Sequence, residues 1–225
     1  MSETGLLPAL IGITAITLSA QPVQYTFSLA NRAKISTAIV DPEGNVYFAG
    51  STTVSLPTTP GAFQTTFAPC PPVAADPNHP LGRAGCSWGF IGKLSPAGTI
   101  VWLTYLPEPN GNSSITNIAF DRRRNVYVTG ASQTVDGLPP AFPVTPGAFE
   151  TNPQANGIFI AELTASGSGL VYATYFSKIS SINTIFPDGD GNCTWECGQR
   201  VWSIFRCCIR FPEWRLRSNR DTWLN

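Results

Sequence analysis

Charge is the scarcest feature of this sequence. Of its 225 residues only 12% are Asp, Glu, Lys or Arg, and 14 basic residues balance 14 acidic ones. A chain without a net field does not recruit nucleic acid or an anionic membrane surface by electrostatics, so any partner must be recognised by shape and local polarity. Histidine occurs once, as His79, in a Pro-rich segment beside Pro80. A Ser or Cys nucleophile therefore has no second imidazole to serve as its base. Asp41, Asp121 and Asp188 stand in turn-like segments and Asp76 and Asp136 in loop-like ones, so no general acid/base pair can be nominated. Membrane-length apolar runs are missing too. The N-terminal run Leu6 to Ala20 is fifteen residues, short for a bilayer span. It suits the core of an export signal cleaved after Ala20, although Met1 to Thr4 carries Glu3 and no Lys or Arg. Alternatively Ile11 to Leu18 is a core strand, so residues 1–22 are a signal peptide or a partial strand.

Turn formers are what the chain has in quantity. Twenty Gly and twenty Pro, alongside many Thr, Val and Phe, describe a polypeptide that reverses often and rarely holds a long helix. With 43% apolar and 11% aromatic residues it can still bury a core. All-β architecture is the expectation.

Four blocks recur in one order. Ile39-Val40-Asp41-Pro42-Glu43-Gly44-Asn45 is matched by Ile118 to Asn125, and Val46-Tyr47-Phe48-Ala49-Gly50 by Val126-Tyr127-Val128-Thr129-Gly130. Together they read as a hairpin, apolar β-formers flanking a turn in which Asp bonds the backbone ahead and Gly or Asn takes positive φ. Leu56-Pro57-Thr58-Thr59-Pro60-Gly61-Ala62-Phe63 is matched by Phe142 to Phe149, a fixed loop whose final Phe is expected to plug the gap between neighbouring units. Gly89 to Ser95 and Ile100 to Leu106 correspond to Ile158 to Thr164 and Leu170 to Phe176, a second hairpin turning at Pro96-Ala97-Gly98 or Ala165-Ser166-Gly167. Each unit holds four short antiparallel strands, the content of one propeller blade.

These units divide the chain. Residues 23–106 are the first, with a Cys- and Pro-rich insertion at 64–88, and 107–176 the second. Residues 177–192 begin a third, in which Asp188, Gly191 and Asn192 repeat the turn. Cys70 and Cys86 are the only Cys before residue 193, and in an exported chain they are expected to form a disulfide.

The combined pattern, D-x-x-G-N-V-Y-x-x-G, F-P-x-T-P-G-A-F, F-I-x-K-L-x-x-x-G and L-V-Y-x-T-Y-L, resembles the SBBP-type β-propeller repeats of large exported bacterial proteins, over about Val23 to Asn192. The resemblance implies a propeller fold and a secreted or cell-envelope location, and it transfers no catalytic residue. Two to three blades are visible, an incomplete β-propeller, whereas a closed ring takes about four to eight.

Composition changes abruptly after Asn192. Residues 193–225 hold four of the six Trp, four of the six Cys and six Arg. Shifting the codons implied by Cys193-Thr194-Trp195-Glu196-Cys197 by one base restores Val-Tyr-Val-Gly-Val after Asn192, close to Val126 to Gly130. The tail is thus expected to be out of frame, the chain truncated, and 193–225 unable to complete a blade or pack well. The Cys193, Cys197, Cys207 and Cys208 spacings are not those of a zinc site, and Asp188 to Asn192 is better read as a hairpin turn than as a calcium loop, since Cys193 stands where the loop Gly belongs. No metal or other cofactor is expected. Asn112-Ser113-Ser114 matches a glycan acceptor, which carries little weight in a bacterial-looking chain.

Function follows from these expectations: a non-catalytic extracellular or cell-surface scaffold that binds an unknown protein or carbohydrate, with no nucleic acid and no stable membrane span. The alternative is a fragment of a propeller-type lyase or hydrolase whose catalytic residues lie on other blades. Unless the N-terminal segment or the tail covers them, unpaired terminal faces should leave Val126, Tyr127 and Val128 partly wet and favour self-association.

Overall fold

The computed structural model describes residues 33–68, 86–134, 141–152, 156–179, 181–188, 193–196, 206–209, 216–217 and 223–224. Every regular element among them is a strand. The first sheet is β1 (Ala33–Val40), β2 (Val46–Thr52), β3 (Trp88–Leu94) and β4 (Ile100–Leu106), antiparallel and in sequence order. The second, β5 (Gly111–Phe120), β6 (Val126–Thr134), β7 (Asn156–Leu163) and β8 (Leu170–Phe176), repeats it register for register. The incomplete-propeller reading holds. β5 packs on β1, β2 and β3, whereas β4 and β8 make no comparable approach, so the sheets fan outward from their first strands.

Buried position explains the strand sequences. The inner strand β2 is covered on both faces, and Val46 to Gly50 is a continuous buried run without polar alternation. A core cluster joins Tyr47, Ile91, Trp102 and Leu106 of the first sheet to Ile115, Val126, Val128 and Phe159 of the second. A second joins Tyr127, Ile160 and Phe176 to Ile182, Ile185 and Cys193. Val126, Tyr127 and Val128 are accordingly 0% exposed, because Ile182, Ile185 and Cys193 supply the cover without which the strand would be partly wet. The two Val residues turn toward the first sheet and the tyrosine between them turns toward the third, so both faces of β6 are occupied.

The final residue of the Val-Tyr-x-x-Gly block is fixed by backbone proximity. The first strand of each sheet bulges, between Ile35 and Thr37 and between Ile115 and Asn117. A Cβ at Gly50 would stand 1.9 Å from the Lys34 carbonyl oxygen, and one at Gly130 2.0 Å from that of Ser114.

The proline loop caps a sheet edge. Thr59 N–H donates to the Leu103 carbonyl (3.2 Å), Leu103 N–H to Thr59 Oγ1 (3.1 Å) and Tyr105 N–H to the Gln64 carbonyl (3.1 Å). Thr145, Ala173, Tyr175 and Glu150 repeat the arrangement on β8. Fourth strands that would otherwise offer open backbone groups to another chain are thereby satisfied.

A third, three-stranded sheet has the order β11-β10-β9, from β9 (Thr184–Pro187), β10 (Cys193–Glu196) and β11 (Arg206–Ile209). β12 (Leu216–Arg217) and β13 (Trp223–Leu224) pair separately. Pro187 opposes Cys193 as Phe120 opposes Val126, and Cys193 opposes Ile209 as Val126 opposes Leu163. No fourth strand joins this sheet among the described residues. Against the expectation of a poorly packed tail, Cys193 is buried in the cluster around Tyr127. A buried cysteine behaves as a small hydrophobe and can fill a valine's slot.

The two complete sheets are locked at the β7–β8 turn. Trp102 Nε1–H donates to the Ala165 carbonyl (3.1 Å), and Phe63 N–H donates to that of Gly167 (2.9 Å). Phe63 is part-buried against the shared core, in the gap where its block placed it, while its counterpart Phe149 is half exposed and stacks on Phe176. Gly167 has φ +67° and a Cβ there would lie 2.6 Å from the Trp102 ring; Gly147 has φ +80° with open space around it. Gly147→Ala should therefore cost only the left-handed backbone penalty of about 1–2 kcal/mol. Gly167→Ala should add about 1–3 kcal/mol of overpacking. Thermal melts of the two variants check this, and equal losses would show that the indole moves aside freely.

Candidate functional site

At one end of each sheet the two hairpin turns lie side by side. In the first, Asp41 N–H donates to the Asn45 carbonyl (2.9 Å), while the Asp41 carboxylate accepts from Asn45 N–H and Nδ2, both at 2.8 Å. Gly44 closes the turn at φ +83°. Burial works to raise the Asp41 carboxyl, but the Asn45 bonds, with Lys93 and Arg124 nearby, outweigh it and hold the group below the usual carboxylate value. Asp121 and Asn125 repeat the geometry, with 2.9 Å from Asn125 N–H. Arg124 stands in the place of Gly44 at φ +67°. Its guanidinium donates to both Glu43 oxygens, at 2.6 and 2.5 Å, tying one turn to the next. The side chains are 27% and 59% exposed, so solvent screens the pair and it contributes little to stability.

Behind the turns the two blades part in chemistry. Opposite Tyr47 stands Lys93, its ammonium 4.9 Å from the ring centroid. Opposite Tyr127 stands Glu162, which is almost fully buried. Burial raises the Glu162 carboxyl above its usual value and outweighs the Tyr127 hydroxyl, which favours the ionised form; the Asp121 charge adds to the rise, and Asn125 and Arg123 oppose it less.

The opposite end carries the connection between sheets and the foot of the insertion. Cys86 is buried and disulfide-bonded; Cys70 lies outside the described residues. Ser87 N–H and Oγ donate to Asn112 Oδ1 at 2.8 and 3.2 Å, and Ser113 N–H donates to the Ser87 carbonyl at 2.7 Å. The side-chain oxygen of the possible glycan acceptor thus anchors the insertion to β5.

Glu108, just after β4, is fully buried. Its carboxylate accepts from Ser132 Oγ (2.6 Å), the N–H groups of Ala141 (2.9 Å), Phe142 (3.0 Å) and Asn110 (3.3 Å), and the Tyr175 hydroxyl (3.4 Å). One side chain from the link thereby gathers β6, β8 and the proline loop of the second sheet. Repeat matching did not find it, because Lys178 occupies the corresponding place after β8; the sequence offers only a lone charge between Pro107 and Pro109.

The structure brings Asp41, Gly44 and Asn45 into one turn and Asp121 and Asn125 into its equivalent. Asp188 follows β9, while Gly191 and Asn192 lie outside the described residues, as do His79, Asp76 and Asp136. Among the described residues there is no cluster of three or more His, Cys, Asp or Glu side chains placed to hold a metal, and no helix is long and apolar enough to cross a membrane.

Residues 101–134 match the family model described as SBBP, beta-propeller repeat. This segment is an SBBP-type repeat. The matched segment runs from β4 through Glu108 and the β5–β6 hairpin, so it straddles two sheets and contains the connection that joins them. No curated protein matches the chain.

Removing the carboxylate in Glu108→Ala leaves the buried Ser132 hydroxyl and the part-buried Ala141 N–H without their acceptor, each costing about 1–3 kcal/mol, while Phe142 N–H keeps the Tyr175 hydroxyl at 3.1 Å. The expected loss is on the order of 3 kcal/mol or more in chemical denaturation, with the second sheet's amides exchanging first. A loss below about 1 kcal/mol would mean that water replaces the carboxylate.

Proposed function

We propose that this SBBP-type repeat protein is a non-catalytic scaffold of the secreted or cell-envelope kind, presenting the 64–88 insertion to a protein or carbohydrate ligand. The observation that carries this reading is where the two blades differ. Their strands, edge caps and first turns coincide register for register, the β7–β8 turn is one residue longer than the β3–β4 turn, and their largest difference in length lies in the β2–β3 connection. A rigid repeat that varies in one connecting loop is the usual way a framework carries a binding surface. The ends of that loop are held firmly. Phe67 packs edge-on to Trp88 (5.0 Å), and Ser87 is bonded to Asn112. Cys70 is the partner we assign to the Cys86 disulfide, which would close the loop and lower the ordering cost of binding; in the chain-entropy account it is worth about 3 kcal/mol.

The test is an exchange of the first β2–β3 connection for the shorter second one, with both forms screened against a glycan array and an extracellular protein panel. Binding by the natural chain and not by the exchanged one is the expected result, with equal melting. A ligand retained after exchange, or reproducible turnover of a polysaccharide or peptide by the natural chain, would overturn the reading. Peptide mapping of oxidised protein should recover Cys70 linked to Cys86, and two free thiols would remove that assignment.

A further inference from the structure

We propose that Glu162 is a proton-binding site at the junction of the second and third sheets, which tightens when the carboxyl is protonated and loosens when it ionises. Asp121 and Glu162 are both buried, 4% and 5% exposed, and they share one donor. Asn125 Nδ2–H donates to Asp121 Oδ2 at 3.3 Å and to Glu162 Oε1 at 3.0 Å, so a single amide separates two carboxyl groups. Asp121 Oδ1 is taken by the Asn125 backbone (2.9 Å). Beside Glu162 lies the Tyr127 hydroxyl, wholly buried and close enough that it favours the ionised carboxylate, though less than burial disfavours it.

The equivalent site in the first sheet shows what this arrangement lacks. There the residue opposite the tyrosine is Lys93, and its ammonium offsets Asp41. With Glu162 in its place the site holds two carboxyl groups and no buried cation. Beyond the Asn125 amide, the Glu162 carboxyl has only the Tyr127 phenol beside it, too few oxygens for a calcium ion, which takes six to eight. A proton needs only one, and it gives the cluster a second donor next to the Tyr127 oxygen. The groups facing Glu162 among the described residues are Tyr127 on β6, Asp121, Asn125 and Arg123 on the turn, and Tyr172 opposite it on β8, whose hydroxyl accepts from Phe149 N–H (3.2 Å). Cys193 on β10 faces Tyr127. Because Tyr127 packs with Ile182, Ile185 and Cys193, a charge created at Glu162 is felt at the third sheet.

The sign follows from linkage. A carboxyl whose folded affinity for protons exceeds its unfolded one contributes stability that is complete below the unfolded value of 4.5 and is lost as pH rises through the higher folded value. Asp41 acts oppositely, its contribution lost as pH falls below 3.8 toward its lower folded value, so the two effects occupy separate pH ranges. Melting of the full chain is measured from pH 4.5 to 8 beside Glu162→Gln and Glu162→Lys, with Glu43→Gln as a control. The melting temperature of the natural chain minus that of Glu162→Gln should fall by about 2–4 °C as pH rises. Glu162→Lys, which recreates the first sheet's arrangement, should lose the slope. Should either variant fail to fold, the Asn125 side-chain amide resonances of the natural chain decide: an inflection above pH 4.5 supports the proposal. A flat titration, or a difference from Glu162→Gln that does not change with pH, overturns it.

Discussion

Everything in this structure depends on covering sheets that are apolar on both faces. A strand such as β2, buried continuously from Val46 to Gly50, has no face to leave in water, and a sheet built around such strands is stable only between neighbours. The contact between the first and second sheets therefore comes first and the rest serves it. Glu108 holds the incoming strands of the second sheet, Phe63 N–H bonds the Gly167 carbonyl across the joint, and the Gly167 turn lies on Trp102. Each of these features belongs to one sheet in sequence and to the next in space. That explains why the matched repeat spans residues 101–134 and not one sheet: the repeat's information concerns the joint.

Much of this is legible in the order of the residues, because recurrence reports function within a unit. The Asp and Asn turn, the strand blocks and the proline loop each appear twice, and identical residues in identical order predict identical geometry. What escapes such reading is either unrepeated or dependent on a third body. Glu108 has no counterpart at Lys178, so comparison of the two units passes over it. The Gly that ends the Val-Tyr-x-x-Gly block is visible as a pattern, but its cause is a bulge in the partner strand, which no local reading supplies. The burial of Val126, Tyr127 and Val128 does not follow from the repeat count, because both neighbours of β6 must be present for its two faces to be counted.

The third sheet shows how little side-chain identity strand pairing requires. Backbone hydrogen bonds fix the ladder, and the residues following Asn192 need only tolerate an extended conformation and the demands of one buried face. Cys193 meets that demand in the place of Val126, and Cys193 to Glu196 pairs with β9 in the register of β5 and β6 although its composition differs entirely. Pairing in register is thus a weaker statement about the tail than restoration of the Val-Tyr-Val text would be. The distinction lies in what covers the faces, since a ladder of three strands fixes direction and register while the fourth strand and its proline loop close the edge.

The same separation between backbone and side chain locates the chemistry of the chain. Wherever the two blades share a backbone but differ in an ionisable residue, the fold tolerates the change and local electrostatics alters. Arg124 in the place of Gly44 accepts a left-handed backbone and gains an ion pair between turns, an exchange of comparable small quantities. Lys93 and Glu162 are a larger contrast, since both stand opposite a buried tyrosine and only one of them leaves the neighbouring Asp with an opposite charge. A repeat protein can therefore hold its architecture constant while each joint acquires its own response to charge. In this chain the joint of the first and second sheets is held by Glu108 and fixed donors, and the joint of the second and third carries the buried carboxyl pair.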